Sequence, residues 1–557
     1  MHPKTIALAA FLLLPSCVND ETTSKARSQT SQSFKAGQSC DSIKTNSYDL
    51  DTANSWAQIK QQRDQQLESY LCQTKDAYQS FTHTPVGYSG MPVVIFRLLP
   101  DVLPEVWGRA HVEERTGFFF KEGEEFPHGF TYGKDANSPS QVVNLTCAGC
   151  HTGRVLDATG QEKILVGAPS TTMDTLGFRR KMFDSVQHQN FTAANFLGAL
   201  ASKKPGWLYG KDEMLEQEAI DIKVFEANAE KMIAGLKTGY INAEKGVHSM
   251  LGAYSYRKDP EILNGYQAGA LEAFGFASML QMPSNFVELD QESQLEAMKE
   301  VLPPQPAVVD IMSVWRQGDR TAAQWDGNIK ARLIRNLGAE VGVIRDPALT
   351  NYQNAVVTTD FVEHLPAPAY PFEVDLQKAK RGKEIYQYAC AECHETNRFM
   401  PVDAIGTDPG RAIGLTDQAR IGLTANLKAA CIDEQNPACQ VPDEEILVPR
   451  QENPGYTSQL LDGIWARAPY LHNGSVPTMH HLLIPSSRPK SFQRGNIAYD
   501  QINMGFEWRE GGLNSYETSR PGFSSEGHAD LDTFFGGIDF SQEPEKLADL
   551  IEYLKTL

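Results

Sequence analysis

The chain has no second apolar run after its first residues, no surplus of basic charge, no repeat beyond one five-residue motif and no A-x-A-like cleavage site near its start. Each absence excludes something. A bilayer-spanning helix needs about 20 apolar residues in a row, so the chain beyond its N-terminus is expected to be soluble. Lys+Arg number 51 against Asp+Glu 70, a formal charge of −19. A surface of that sign does not neutralise phosphates, so nucleic acid is not expected as a partner. The acidic field either steers a basic partner or simply keeps the surface solvated. The lack of a longer repeat argues against a solenoid or propeller.

What is present begins with a targeting segment. Lys4 supplies the charged start, and Ile6 to Leu14 form an apolar stretch too short to span a membrane. It runs into Leu14-Pro15-Ser16-Cys17, which resembles a bacterial lipobox. Residues 1–16 are therefore expected to be a signal peptide, Cys17 the lipidation site, and 17–40 a polar lipoprotein tether. An ordinary secretory signal is the alternative. Either reading puts the protein in the periplasm or anchored at the outer membrane of a bacterium. Its only contact with the membrane is then the lipid anchor.

The strongest chemical signal is a motif that occurs twice: Cys147-Ala148-Gly149-Cys150-His151 and Cys390-Ala391-Glu392-Cys393-His394. Cys-x-x-Cys-His is the attachment signature of c-type haem. Two cysteines one helical turn apart can add across the two vinyl groups of one porphyrin, and the next histidine then supplies the proximal imidazole. A structural zinc site or a redox-active Cys-x-x-Cys is the bland alternative, but zinc wants a second ligand pair at similar spacing. Cys431 and Cys439 are too far apart to be one. The reading is two covalent haem c groups, with His151 and His394 on the metals. Four other cysteines remain besides Cys17. Cys431 and Cys439 bracket a short loop, and Cys40 and Cys72 are placed to pin the N-terminal segment. Either pair could be a disulfide, or the thiols could be free.

The expected fold is mostly α: two cytochrome c-type haem domains with long loops and a few short strands. Residues 41–363 would form an N-terminal haem domain with a helical insertion, 364–371 a proline linker and 372–557 a class I-like cytochrome c domain. Glu216 to Leu236 and Gln291 to Val301 show helical spacing. Pro92 to Phe96 and Phe118 to Phe120 read as loops and short strands packing toward the first haem. In His364-Leu365-Pro366-Ala367-Pro368-Ala369-Tyr370-Pro371 the alternating prolines favour an extended segment. Leu376 to Ala389 reads as a helix leading into the second motif, with Gly382 at a close crossing. Leu547, Leu550, Ile551 and Leu554 make one apolar face of a terminal helix, and Tyr553 is the aromatic expected at that crossing. Before the first motif Pro139 stands where a lead-in helix would need a small residue.

These features together resemble the bacterial dihaem cytochrome c peroxidase superfamily. Ala468-Pro469-Tyr470-Leu471-His472-Asn473-Gly474-Ser475 is similar to its A-P-Y-x-H-x-G segment. Gln324-Trp325-Asp326-Gly327-Asn328 and Ile405-Gly406-Thr407-Asp408-Pro409 resemble the branch that includes rubber oxygenases. The resemblance implies that one haem activates peroxide or dioxygen while the other relays electrons. It also implies a small redox protein as electron donor or acceptor, and a calcium ion between the haems, although no compact oxygen-ligand motif marks such a site. Two other functions stay open: a non-catalytic dihaem electron carrier, and a rubber-oxygenase-like dioxygenase of an apolar substrate.

Function then turns on the sixth ligand of each iron. His528 in Gly527-His528 is the preferred distal ligand of the second haem, as the resemblance implies, with Met504 the runner-up. His472 corresponds to a structural residue of the superfamily, and His480 and His481 read as packing or surface residues. No distal ligand is evident for the first haem. His83, His111, His128, His188 and His248 all precede the linker, and His128 is the first candidate for a distal acid/base. Phe274, Phe276, Trp315 and Trp325 are either core aromatics or, for a tryptophan such as Trp315 or Trp325, an electron path between the haems.

Overall fold

A computed structural model describes residues 49–557, apart from 122–123, 254–267, 273–285, 300, 302–304 and 448–452. The targeting segment, Cys17, Cys40, Phe274 and Phe276 lie outside the described residues, as do the side chains of His111 and His248. Helices dominate what is described, and the strands are short.

The C-terminal half is built on two crossed helices, Leu376–Ala389 and Pro544–Leu554. Asp375 caps the first by accepting from the Gln377 and Lys378 backbone N–H groups. Its buried stripe is Ala379, Gly382 and Tyr386, three to four residues apart as one helix face requires. The partner helix buries Leu547, Leu550, Ile551 and Leu554. Gly382 is where the backbones meet: a Cβ there would stand 1.9 Å from the Asp549 carbonyl oxygen. Tyr386 and Tyr553 lie beside the crossing, ring centroids 5.1 Å apart, and Arg381 clamps Asp549 with two hydrogen bonds of 2.8 and 2.6 Å. Gly382→Ala is accordingly expected to force the helices apart and destabilise the protein by about 3 kcal/mol, read as a drop in the denaturant midpoint.

The N-terminal half enters its motif differently. The strand Gln141–Leu145 is the middle of a three-stranded antiparallel sheet, between Met91–Pro92 and Phe130–Lys134. It passes through Thr146 directly into the helical turn Cys147–Cys150. A hairpin of Thr152–Leu156 and Glu162–Val166 follows at once. Gly129, at φ +85°, lets the chain lie on the turn: a Cβ there would be 2.1 Å from the Gly149 Cα.

Several expectations need correction. Val93–Val102 is a helix, and Val93 to Phe96, Leu98, Leu99 and Val102 are all buried in it. Its first four residues are an unbroken apolar, mostly β-branched run that reads as a strand, and only Arg97 and Asp101, four residues apart, mark the helix's polar face. Phe118 packs on Phe130 and Phe178, at 4.8 and 5.6 Å, inside an aromatic core against which Cys150 of the first motif also packs. The Glu216 helix extends to Ala253, and the Gln291 helix ends at Lys299.

The segment 364–371 is extended, but it does not separate two bodies. Leu365, Ala369 and Tyr370 are fully buried. One apolar core runs through it, joining Phe81, Val314 and Phe361 of the first half to Trp465, Tyr470 and Leu550 of the second. The Trp56–Gln73 helix is tied to the far half as well, with Trp56 donating to the Phe372 carbonyl at 2.7 Å and Arg63 to that of Leu557 at 2.7 Å. Cys431 and Cys439 form a disulfide. Cys72 is disulfide-bonded too.

Candidate functional site

Each Cys-x-x-Cys-His turn opens onto its own cavity. The second is the larger, about 1510 Å3, lined by Cys390, Cys393 and His394 on one wall and by His528, Phe534 and Phe535 on another. Both cysteines are free thiols, as thioether formation requires. The Cys390 thiol is pushed up to about 12 by burial, so it is neutral rather than an exposed thiolate. His394 Nδ1 sits 2.8 Å from the Gln459 carbonyl oxygen. That bond places the proton on Nδ1 and leaves Nε2 as a donor for a metal.

His528 faces His394 with ring centroids 6.5 Å apart. Two metal–imidazole bonds of about 2.0–2.1 Å each, plus the radii of two five-membered rings, span roughly 6 Å. The gap therefore fits one iron held between the imidazoles. Residue 528 is fixed for this: φ is +49°, its N–H donates to the Ile405 carbonyl at 2.9 Å, and its ring stacks on Phe534 at 4.5 Å. Burial, reinforced by His394, pushes His528 down to about 3, so both imidazoles are neutral and able to ligate. Its Nδ1 is buried without a hydrogen-bond partner. Met504 is buried in the core and does not line this cavity. His472 does line it, but its Nε2 is 3.1 Å from the Tyr456 hydroxyl.

The first cavity is about 570 Å3. His151 Nδ1 lies 2.9 Å from the Met312 carbonyl oxygen, the same arrangement as at His394, and burial pushes this histidine down to about 3. The rest of the lining differs from the second site. Among the described residues it holds no methionine and no histidine besides His151. Instead the Arg332–Ile344 helix lays Arg335, Asn336, Ala339 and Glu340 along it. Glu340 is buried, with the Asn354 side chain and the Asn351 backbone as its polar neighbours. Burial holds its carboxyl well above the usual carboxylate range, against the opposing pull of Asn354 and Asn351, which favours the protonated form. Arg335 and Glu340 were not singled out from sequence. The signal was there: two charges on the face of an amphipathic helix that also buries Leu333, Leu337 and Val341.

The strand Val308–Asp310 and the residues after it run between the cavities. Met312 and Ser313 line the second and Val314 the first. Trp315 comes next, fully buried, its Nε1 donating to the Val166 carbonyl at 2.8 Å. Gly463 leaves room for its ring, since a Cβ there would approach to 2.4 Å. Trp325 lines the second cavity and donates to the Asp310 carbonyl at 3.0 Å. His128 lines neither cavity. It is buried against Phe119, with Nε2 3.4 Å from the Thr152 hydroxyl and Nδ1 3.6 Å from the Glu124 carboxylate. The first candidate acid/base is thus displaced from the site by the turn at Gly129. His83 and His188 also lie elsewhere, beside Thr82 and Glu105. Among the described residues no cluster of three His, Cys, Asp or Glu converges to hold a free metal ion, and none of their helices is long and apolar enough to cross a membrane.

Comparison with known proteins bears on this geometry. A family profile described as RoxA-like, cytochrome c-like matches residues 455–493. That stretch supplies Tyr456, Gln459, Arg467 and His472 to the wall of the second cavity. A second profile, described as a Y4iN-like domain, matches residues 76–151 and ends on His151. The chain is 37% identical over 285 residues to "Uncharacterized protein y4iM" of Sinorhizobium fredii, covering 46% of this chain and 66% of that protein. It is 27% identical over 546 residues to "Uncharacterized protein y4iJ" of the same organism, covering 80% and 84%. A third relative there, "Uncharacterized protein y4iN", is 32% identical over 106 residues, 19% of this chain and 45% of that protein. The chain thus spans just under two thirds of y4iM and under half of y4iN. The C-terminal half carries a RoxA-like, cytochrome c-like segment, which links it to the rubber-oxygenase-like branch. Covalent haem c is the group that such a segment implies, and the free Cys390 and Cys393 beside His394 fit it.

Proposed function

We propose that the protein is an exported c-type cytochrome oxidoreductase with two covalent haems of unlike coordination. Cys147, Cys150 and His151 hold the first, and Cys390, Cys393, His394 and His528 the second. Bound haem supplies the redox chemistry, storing electrons and activating a small oxidant at an open coordination position. The observation that carries this reading is an asymmetry. His394 has an imidazole opposite it at 6.5 Å, whereas among the described residues no histidine or methionine lines the first cavity opposite His151.

The residues then divide the work. The Nδ1 bonds to Met312 and Gln459 orient the two proximal imidazoles. Glu340, on the wall of the first cavity, would be the group able to hold and move a proton there. Phe81, Val314 and Val362 keep water out of that cavity. Trp315, buried between the two sites, is suited to pass electrons, and a small redox protein would exchange them at the surface. A polar wall of Arg335 and Glu340 suits peroxide cleavage better than oxygenation of an apolar polymer.

Paramagnetic resonance and optical spectra of the purified full chain test the proposal. One low-spin haem and one that responds to peroxide are expected. Two low-spin haems, both indifferent to peroxide, would leave an electron carrier only.

A further inference from the structure

Three arginines lie between the two cavities, and among the described residues none of them is hydrogen-bonded to a carboxylate. Arg335 lines the first cavity and Arg467 the second. Arg320 stands between, sharing a small recess with Arg335 and close enough to feel the charge of both. Arg320 donates to the Ser313 and Trp315 carbonyls at 3.0 and 3.1 Å. Arg335 donates to the Asn336 side chain at 2.7 Å. Arg467 donates to the carbonyls of Leu460 and Asp462, and its guanidinium lies 5.6 Å from the centre of the Trp315 ring. Every acceptor is neutral. Asp462, whose charge reaches Arg320 and Arg467, is already held by Arg316 at 2.6 Å.

Three guanidiniums drawn together out of water repel one another and lose solvation, so anions must compensate them. Burial lowers all three accordingly: Arg320 to about 9, and Arg335 and Arg467 to about 10. Each haem c carries two propionate carboxylates, and guanidinium is the side chain best shaped to bind them in a fork.

We propose that Arg320, Arg335 and Arg467 form a cationic bridge that anchors the propionates of both haems, Arg335 those of the first, Arg467 those of the second, and Arg320 one from each. This rests on the two-haem reading above. The bridge positions the porphyrins beside Trp315 and, by its charge, favours the reduced state of both irons.

The test is spectroelectrochemistry on the full-length, haem-loaded protein. Arg320→Gln is expected to lower both midpoint potentials, Arg335→Gln the first alone and Arg467→Gln the second alone. Arg320→Lys, which keeps the charge, should restore most of the shift. Arg509→Gln, in an exposed ion pair with Glu507, should move neither. Unchanged potentials in Arg320→Gln, with two haems per chain by mass spectrometry, overturn the bridge. A chain without two covalent haems overturns the underlying reading instead. Should the variants fail to fold, resonance Raman of the wild type decides: propionate bending bands at the hydrogen-bonded frequency support the bridge, and bands at the free frequency refute it.

Discussion

His528→Gly is expected to abolish the low-spin signal of the second haem while leaving both haems covalently attached. Attachment depends on Cys390 and Cys393, and proximal ligation on His394, none of which the change touches. Glycine is the replacement of choice because residue 528 sits at φ +49°, where glycine carries no strain. The vacated side should turn the metal five-coordinate and make it reactive toward small ligands. His528→Met should keep it six-coordinate but raise its potential, within the ~0.8 V that axial ligands span. Electron paramagnetic resonance and a redox titration read both outcomes. A low-spin signal that persists in His528→Gly would transfer the ligand role to another side chain of that cavity, such as His472.

Glu340→Gln is expected to lower kcat/KM for peroxide by about 10²–10⁴-fold, with the resting spectrum unchanged. The glutamine keeps the shape and the neutral charge of the protonated acid but cannot release a proton. The pH behaviour gives a second handle. Burial raises the Glu340 carboxyl well above its ordinary value. The folded protein therefore holds that proton more tightly than the unfolded chain does. The resulting stability is fully present in acid and is lost as pH rises through the raised value. Activity that uses the proton should fall over the same range. The glutamine variant should lose this alkaline limb in both its rate profile and its unfolding midpoint. A wild-type rate in the variant would remove Glu340 from the reaction.

Features set by local covalent logic were legible in the sequence. The two attachment turns are written in five residues each. The Leu376–Ala389 helix follows from its cap and period, and the tight crossing from Gly382. Features set by long-range folding were not. His128 is near Cys147 in sequence, but the Phe130–Leu145 pairing folds the chain back and leaves it against Glu124. Arg335 and Glu340 come nearly two hundred residues after the first motif, and no local pattern says that their helix closes over it. The Val93–Val102 helix opens on four consecutive apolar residues, which hide the period that only Arg97 and Asp101 reveal. The prolines of 364–371 announce an extended backbone, but not whether water or protein surrounds it.

That last point carries a consequence for turnover. With Leu365, Ala369 and Tyr370 sealed inside a shared core, the two halves cannot swing apart without exposing it, at about 1.5–3 kcal/mol for each large apolar side chain uncovered. The spacing between the porphyrins is then a constant of the molecule rather than a variable of the cycle. Any gating by oxidation state has to come from small local rearrangements, such as a shift of the Arg332–Ile344 helix, and not from a hinge.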